Sequence, residues 1–265
     1  MYYKINMPRQ QQAEYQKFAR EKLGFEFHDV SLLVISLTHK SFVNEHASTH
    51  RAHNERLEFL GDAVLEIIVS DYLFRNYDQP EGVLTSWRAA LVNGETNGET
   101  GIKLGYVPFV RMGKGENVGL SRAHNSIYSD CFEALIGAIY LDQGYDVTTK
   151  FVEKHVISKL PEILENETWR DSKSLLQEIT QHVYNEMPIY QLVTMSGPDH
   201  DRSFTVRVIV HEKIYGIGSG HSKRDASMCA ARVAIRRLKD EGLYEPQVYK
   251  QTVRKNDKPL KKGQK

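Results

Sequence analysis

The chain has 265 residues, 40% of them hydrophobic and 26% charged, which is usual for a folded globular protein and leaves room for roughly two domains. Its net charge of +1 conceals an asymmetry, because residues 1–169 hold 17 basic and 23 acidic residues whereas residues 170–265 hold 18 and 11. The basic second part suits a polyanionic partner. Two cysteines are too few for a disulfide framework, and no run approaches the roughly 18 apolar residues of a membrane span.

Helical spacing of apolar residues, interrupted by short breaks, extends from about residue 10 to residue 160. It predicts an all-α domain with helical segments at 11–23, 30–47, 55–75, 84–92, 126–141 and 147–160. The segment 55–75 carries apolar residues on nearly every face, which predicts that this helix is buried. Residues 113–124 are rich in glycine and polar side chains and predict a loop.

The pattern changes after residue 160. Residues 161–170 are polar and aperiodic, which predicts a linker. Residues 171–240 then predict a small α+β domain of order α-β-β-β-α, with helices at 172–185 and 223–239 around three strands. In the middle strand every second residue from Phe204 to Val210 is apolar, as expected for a strand with one buried face. Residues 241–265 predict a basic, disordered tail.

Carboxylates recur at helical spacing within two of the apolar helices. Glu55, Glu58 and Asp62 lie three and four residues apart on one helical stripe, and Asp130 and Glu133 lie three apart on another. Buried carboxylates are costly unless something positive meets them. One alternative is ordinary ion pairs on the helix surface. No Lys or Arg stands four residues from Glu58, Asp62, Asp130 or Glu133, which disfavours that alternative for both helices together.

Brought side by side, the two helices would form a pocket lined by four or five carboxylates. An all-oxygen donor set selects hard cations such as Mg²⁺ or Mn²⁺ rather than zinc. Such ions suit phosphodiester chemistry, because a pair of them can stabilise both the attacking and the leaving oxygen. Spacing alone therefore predicts a divalent-metal site and favours phosphoryl transfer.

The segment Asn54–Leu65 resembles the signature of the ribonuclease III family, the double-stranded-RNA endonucleases. Further stretches resemble the family in the same order, namely Leu37–Ser41, Arg88–Asn93, Leu104–Gly105, Met112–Glu116, Ser126–Ile127 and Asp130–Ala138. The resemblance covers roughly residues 15–160. It is similar to the compact bacterial type, in which one endonuclease domain (here 10–160) precedes one RNA-binding domain.

The resemblance implies a Mg²⁺-dependent endoribonuclease, with Mn²⁺ as a substitute, that works as a homodimer and leaves 5′-phosphate and 3′-hydroxyl ends. Glu58, Asp130 and Glu133 would be its metal ligands, and Asp62 and Glu133 the catalytic residues tied most closely to hydrolysis. The implied substrates are ribosomal-RNA precursors, together with structured messenger and transfer RNA precursors. The two cysteines, read as free thiols, predict a cytoplasmic location, and neither a membrane nor a small-molecule cofactor is expected.

Two residues of the signature segment, and the segment 93–101 that follows it, have other implications. Glu55 matches a peripheral family position near the RNA and is not expected to be a ligand. Phe59 matches a position that packs across a two-fold axis, which implies a dimer-interface residue; an ordinary core aromatic is the alternative. Residues 93–101 depart from the family's Ala/Leu-rich helix, and because glycine costs about 1 kcal/mol relative to alanine inside a helix, Gly94 and Gly98 put that helix in doubt.

The α-β-β-β-α order of residues 171–240 resembles the double-stranded-RNA-binding domain, which reads the shape of A-form RNA across about 16 base pairs. The residues that match its three contact regions are Gln177 and Glu178, Pro198 and His200, and Lys223 and Arg224. The alternative for His200 is an exposed hairpin histidine without a role in binding. The alternative for Lys223 and Arg224 is a solvated start of a helix. Cations at a helix N-terminus are unfavourable for stability, so Lys223 and Arg224 favour the anion-binding interpretation.

Three functions are compatible with these observations. The first is an endoribonuclease acting on double-stranded RNA. The second is a catalytically inactive, dimeric RNA-binding protein, which the presence of all four acids disfavours. The third is a hydrolase of small phosphorylated molecules, which would have no use for a basic RNA-binding module.

Overall fold

A computed structural model describes residues 7–46, 52–117, 122–198 and 202–251. The chain divides into two compact units, one comprising residues up to Pro161 together with the segment from Lys250, the other comprising Glu162–Tyr249. Throughout the described ranges, every helix is too short or too polar to cross a membrane.

The first unit is helical, as predicted. Its helices are α1 (Arg9–Phe18, continued by the π-helical turn Ala19–Leu23), α2 (Val30–Ser36), α3 (Lys40–Glu45), α4 (Glu55–Asn76), α5 (Glu81–Val92), α6 (Gly94–Leu104), α7 (Arg122–Gln143) and α8 (Tyr145–His155), and α9 (Leu160–Glu165) follows at the boundary. The centre of the unit is α7, which packs against α2, α4, α6 and α8. Its residues Phe132, Leu135, Ile136 and Ile139 are fully buried because neighbours surround the helix on several sides.

The prediction that α4 is buried all round is wrong. One face is buried, through Leu57, Val64, Leu65, Ile68, Val69 and Leu73. On the opposite face, Phe59 is 81% exposed, Ile67 57% and Phe74 62%. Sequence periodicity cannot distinguish an apolar face that is buried within the same chain from one that can bind a partner. The alternative of Phe59 as an ordinary core aromatic is therefore excluded for the single chain.

The doubtful segment 93–101 does form a helix, α6, and its glycines have a packing reason. A Cβ atom at Gly98 would lie 2.2 Å from Oδ1 of Asn125, and one at Gly101 would lie 1.8 Å from the hydroxyl of Tyr106. These glycines lower the intrinsic stability of the helix, but they allow α6 to approach its neighbours closely. The loop predicted at 113–124 is shorter than expected, because α7 already begins at Arg122; residues 118–121 lie outside the described residues.

The second unit has the predicted α-β-β-β-α order. Its elements are α10 (Ser172–Tyr184), β1 (Ile189–Ser196), β2 (Ser203–Val210), β3 (Lys213–Gly220) and α11 (Lys223–Asp240). The strands form an antiparallel sheet of order β1-β2-β3. Val206, Val208 and Val210 are buried, which confirms the alternation seen in the sequence. Val208 and Val210 join Leu176 and Ile179 of α10 and Ala230 of α11 in one core.

The predicted linker and tail contain ordered contacts. The first part of 161–170 belongs to α9 instead of being aperiodic, and the buried Glu167 accepts a hydrogen bond from the hydroxyl of Tyr244. Tyr244 in turn packs against the core of the second unit. The segment 241–265 is therefore not disordered from its start, while residues 252–265 lie outside the described residues.

Candidate active site

The two acid-bearing helices meet through their backbones. A Cβ atom at Gly61 of α4 would lie 1.8 Å from the carbonyl oxygen of Glu133 on α7. In the reverse direction, a Cβ atom at Gly137 of α7 would lie 2.3 Å from the carbonyl oxygen of Leu57. Only residues without a side chain permit this approach. The glycines therefore bring Glu58 and Asp62 on α4 beside the acids of α7.

The start of α4 is held to the rest of the unit by Asn54, which is buried. Its backbone N–H donates to the carbonyl of Thr38 at 2.9 Å, and its Nδ2 donates to Sγ of Cys131 on α7 at 3.7 Å. Its own carbonyl accepts from the N–H groups of Leu57 and Glu58. Asn54 thus anchors the first turn of α4, from which Glu58 projects.

Carboxylates from both helices share one electrostatic environment. Burial raises the pKa of Glu133 to about 7, and repulsion from Asp62, Glu58 and Asp130 acts in the same direction. Burial is also the main cause that raises the pKa of Glu58, with Asp130 adding repulsion. The pKa of Asp130 is raised by burial too, against the opposing influence of His39 and Lys40. The four predicted acids therefore lie near enough to one another to influence each other's ionisation.

Basic partners do not neutralise this group. Among the described side chains, no ion pair is formed by Glu58, Asp62, Asp130 or Glu133. The carboxylate of Glu55 behaves differently, because it pairs with Lys40 at 2.9 Å and lies 3.6 Å from Nδ1 of His53. The hydrogen bond from Lys40 lowers the pKa of Glu55. Glu55 is thus paired at the exposed rim, which agrees with its expected peripheral position.

The arrangement of the acids is not that of a preformed coordination sphere. Within the described parts of the chain, no three His, Cys, Asp or Glu side chains are grouped closely enough to hold a metal ion. Like charges repel when no cation stands between them, and Asp62 is exposed to solvent. The donor chemistry, four carboxylates without a basic partner in the described residues, still fits a hard divalent cation.

One residue of this site escaped the sequence analysis. Asn97 on α6 is fully buried, and its Nδ2 donates to Oε1 of Glu133 at 2.9 Å. The available signal was the exact repetition of Asn-Gly-Glu-Thr at 93–96 and 97–100, which puts a second asparagine one helical turn after the first. From the sequence alone, this segment indicates only a departure from the family pattern.

The residues predicted to contact RNA lie on exposed parts of the second unit. Gln177 and Glu178 are exposed on α10, and Glu178 forms an ion pair with Arg170. Lys223 and Arg224 are the exposed first residues of α11, after the N-cap Ser222. Gln177 and Arg224 line one cleft. Pro198 is exposed at the hairpin that follows β1, whereas His200 lies outside the described residues.

Comparison with known proteins gives matches in both units. The family described as ribonuclease-III-like matches residues 29–160, and the double-stranded RNA binding motif matches residues 172–238.

Individual relatives match across most of the chain. "Ribonuclease 3" of Desulforamulus reducens is 42% identical over 224 residues, covering 84% of this chain and 91% of that protein. "Ribonuclease 3" of Treponema denticola is 40% identical over 234 residues, covering 88% and 93%. Among solved structures, the nuclease domain of a ribonuclease III from Campylobacter jejuni is 38% identical, covers 52% of this chain and 96% of its own, and has a TM-score of 0.47.

Proposed function

Because this chain belongs to the ribonuclease III family, we propose that it is an endoribonuclease that hydrolyses phosphodiester bonds of double-stranded RNA. The observation that carries the proposal is the meeting of α4 and α7, which places four carboxylates in one region without basic partners among the described residues. A binding protein would gain nothing from this arrangement, because like charges crowded together cost stability.

The proposed cofactor is Mg²⁺, with Mn²⁺ as a substitute. Glu58, Asp130 and Glu133 would hold it, since all three are partly buried and their pKa values are raised in the absence of a cation. When bound, a divalent cation supplies Lewis-acid stabilisation of the phosphodiester and a source of hydroxide at neutral pH. Asp62 remains exposed at the same site, where it can orient a water molecule that arrives from solvent.

The second unit supplies affinity for the substrate. Gln177 and Glu178 suit hydrogen bonds to ribose hydroxyls in the minor groove, and Lys223 and Arg224 suit the phosphates beside the N-terminus of α11. Pro198 and His200 would reach a neighbouring minor groove from the hairpin. Because this unit has its own core, RNA binding and hydrolysis are expected to separate on mutation.

The proposed assembly is a homodimer. Phe59, Ile67 and Phe74 form an apolar stripe on α4, which we call the α4 stripe, and isolated proteins rarely expose such surfaces. An isologous contact through Phe59 would relate two identical sites by a two-fold axis, which suits a nearly symmetric duplex. Each site would cut one strand and leave 5′-phosphate and 3′-hydroxyl ends. Precursors of ribosomal, messenger and transfer RNA in the cytoplasm are the proposed substrates.

The decisive experiment uses a labelled RNA hairpin with and without Mg²⁺. Wild-type protein is expected to cut it only with Mg²⁺. Glu133→Ala is expected to abolish cutting while leaving the affinity for the hairpin, measured in Ca²⁺, close to that of wild type. Glu153→Ala is the matched control, because it removes an exposed acid elsewhere in the first unit. Cleavage that survives Glu133→Ala would contradict the proposed site. A wild-type protein that binds the hairpin but never cuts it would favour the catalytically inactive RNA-binding protein.

A further inference from the structure

Asn97 on α6 contacts the carboxylate of Glu133 on α7. Its Nδ2 donates to Oε1 of Glu133 at 2.9 Å and to the carbonyl oxygen of Val92 at 3.2 Å. Both partners are acceptors. If the amide nitrogen and oxygen of Asn97 were exchanged, its oxygen would face these two oxygens and neither hydrogen bond could form. The orientation of the carboxamide is therefore determined by its surroundings.

We propose that Asn97 is a positioning residue, which fixes the rotamer of Glu133 so that its second oxygen faces the cation that the four acids would bind. The proposal rests on the function proposed above and deepens it. Asn97 itself would touch neither the cation nor the RNA, because its side chain is fully buried. Its effect would pass entirely through the Glu133 carboxylate.

The chemistry of the donor supports this role. A lysine or arginine in the same place would neutralise Glu133 and compete with a cation for it. The neutral amide orients the carboxylate and leaves its negative charge available. An uncharged donor is therefore the appropriate partner for an acid that is to serve as a metal ligand.

Stability alone does not explain an asparagine here. The Oδ1 atom of Asn97 is buried and has no hydrogen-bond partner in the described residues. Leaving a carbonyl oxygen unpaired in the interior costs stability, whereas an apolar side chain at the same position would avoid that cost. Residues that weaken the fold in this way are expected at functional sites.

The residues beside Asn97 on α6 make contacts with other parts of the first unit. Lys159 donates to the carbonyl of Thr96 and to the hydroxyl of Thr100, on either side of Asn97 in the sequence. Gly98 permits the close approach to Asn125 of α7 that brings the amide within reach of Glu133. Asn93, the equivalent residue of the four-residue repeat, instead caps α6 by accepting from the N–H of Thr96 at 2.9 Å.

The test measures Mn²⁺ binding by calorimetry on the full chain, without RNA. Asn97→Leu and Asn97→Ala both remove the donor, and each is expected to weaken Mn²⁺ binding by about 10- to 100-fold, as is typical when a partner of a metal ligand is lost. Asn93→Ala is the matched control, because it removes the asparagine that caps the same helix and has no contact with Glu133; its Mn²⁺ affinity should equal that of wild type.

A purely structural role predicts a different pattern. In that case Asn97→Leu, Asn97→Ala and Asn93→Ala would lower the melting temperature, and Mn²⁺ affinity would follow the loss of stability. The positioning role instead predicts that Asn97→Leu melts no lower than Asn93→Ala and yet binds Mn²⁺ far more weakly. If Asn97→Leu does not fold, Asn97→Ala decides the question by the same comparison.

Two results would overturn the proposal. The first is wild-type Mn²⁺ affinity in a folded Asn97 variant. The second is an equal loss of affinity in Asn93→Ala. Failure of the proposed function would look different, because wild type would then bind Mn²⁺ in an Asn97-dependent manner without cutting an RNA hairpin.

Discussion

Replacing Gly61 by alanine tests whether the backbone contact between α4 and α7 assembles the acidic site. The added Cβ would start 1.8 Å from the carbonyl oxygen of Glu133, whereas ordinary contacts of this kind begin at 3.4 Å. The helices would have to separate locally by about 1.6 Å, the difference between these two distances. That movement would carry Glu58 and Asp62 away from Glu133.

The expected magnitude follows from two opposing effects. Overpacking a close contact costs about 1–3 kcal/mol, and a clash with rigid backbone belongs at the upper end of that range. Alanine regains about 1 kcal/mol of helix propensity over glycine. The net loss of about 2 kcal/mol should lower the melting temperature of the first unit by roughly 4–8 °C. Because misplacement by about 1 Å can cost 100-fold in rate, cleavage should fall by at least about that factor.

The assay combines thermal unfolding followed by circular dichroism with single-turnover cleavage of a labelled hairpin. Gly82→Ala is the matched control, since it makes the same chemical change in a helix of the same unit where no atom lies within 4 Å of the new Cβ. That variant should cleave like wild type, and its stability should equal or slightly exceed that of wild type. If Gly61→Ala behaved like Gly82→Ala in both measurements, the contact would not be what positions the acids.

Other substitutions and conditions give further tests. Phe59→Asp should convert the proposed dimer to a monomer in analytical ultracentrifugation. The helical circular-dichroism signal should stay unchanged, because the ring is 81% exposed in the single chain. A variant that remains dimeric would exclude the α4 stripe as the dimer interface. Removing residues 171–265 should weaken RNA binding yet leave cleavage at low salt, and an inactive fragment would argue against an autonomous nuclease domain. Burial raises the pKa of Glu133 from 4.5 to about 7, so in metal-free protein its protonated form favours folding below about pH 4.5, and that contribution is lost as the pH rises to about 7. Glu133→Gln should therefore gain urea resistance relative to wild type over this interval, whereas a pH-independent difference would contradict the shift.

Much of the fold could be predicted from local pattern. Helical spacing identified the all-α first domain, and the alternation from Phe204 to Val210 identified the middle strand of the second. These patterns are reliable because each element buries one face. Apolar residues therefore recur in the sequence with the period of a helix or of a strand. The candidate acids could also be named, because Glu58, Asp62, Asp130 and Glu133 stand out as charges within apolar helices.

The errors arose where burial depends on partners distant in the chain. The apolar residues of α4 predicted a helix buried on every side, yet the α4 stripe is exposed in the single chain. Gly94 and Gly98 put α6 in doubt as a helix, yet the helix forms, and Gly98 permits a close approach to Asn125. Propensity describes a residue beside its sequence neighbours, and tertiary packing can override it.

Two kinds of information thus separate in this protein. The amino-acid sequence by itself determined where the charged side chains stand and which segments form helices or strands. Hydrophobic periodicity and residue chemistry act over a few positions, so both can be recognised locally. Only the tertiary structure decided that Gly61 and Gly137 let α4 and α7 touch, and that Asn97 reaches Glu133 across 36 positions of sequence. Such contacts depend on where whole helices lie, and no local pattern encodes the distance between two backbones.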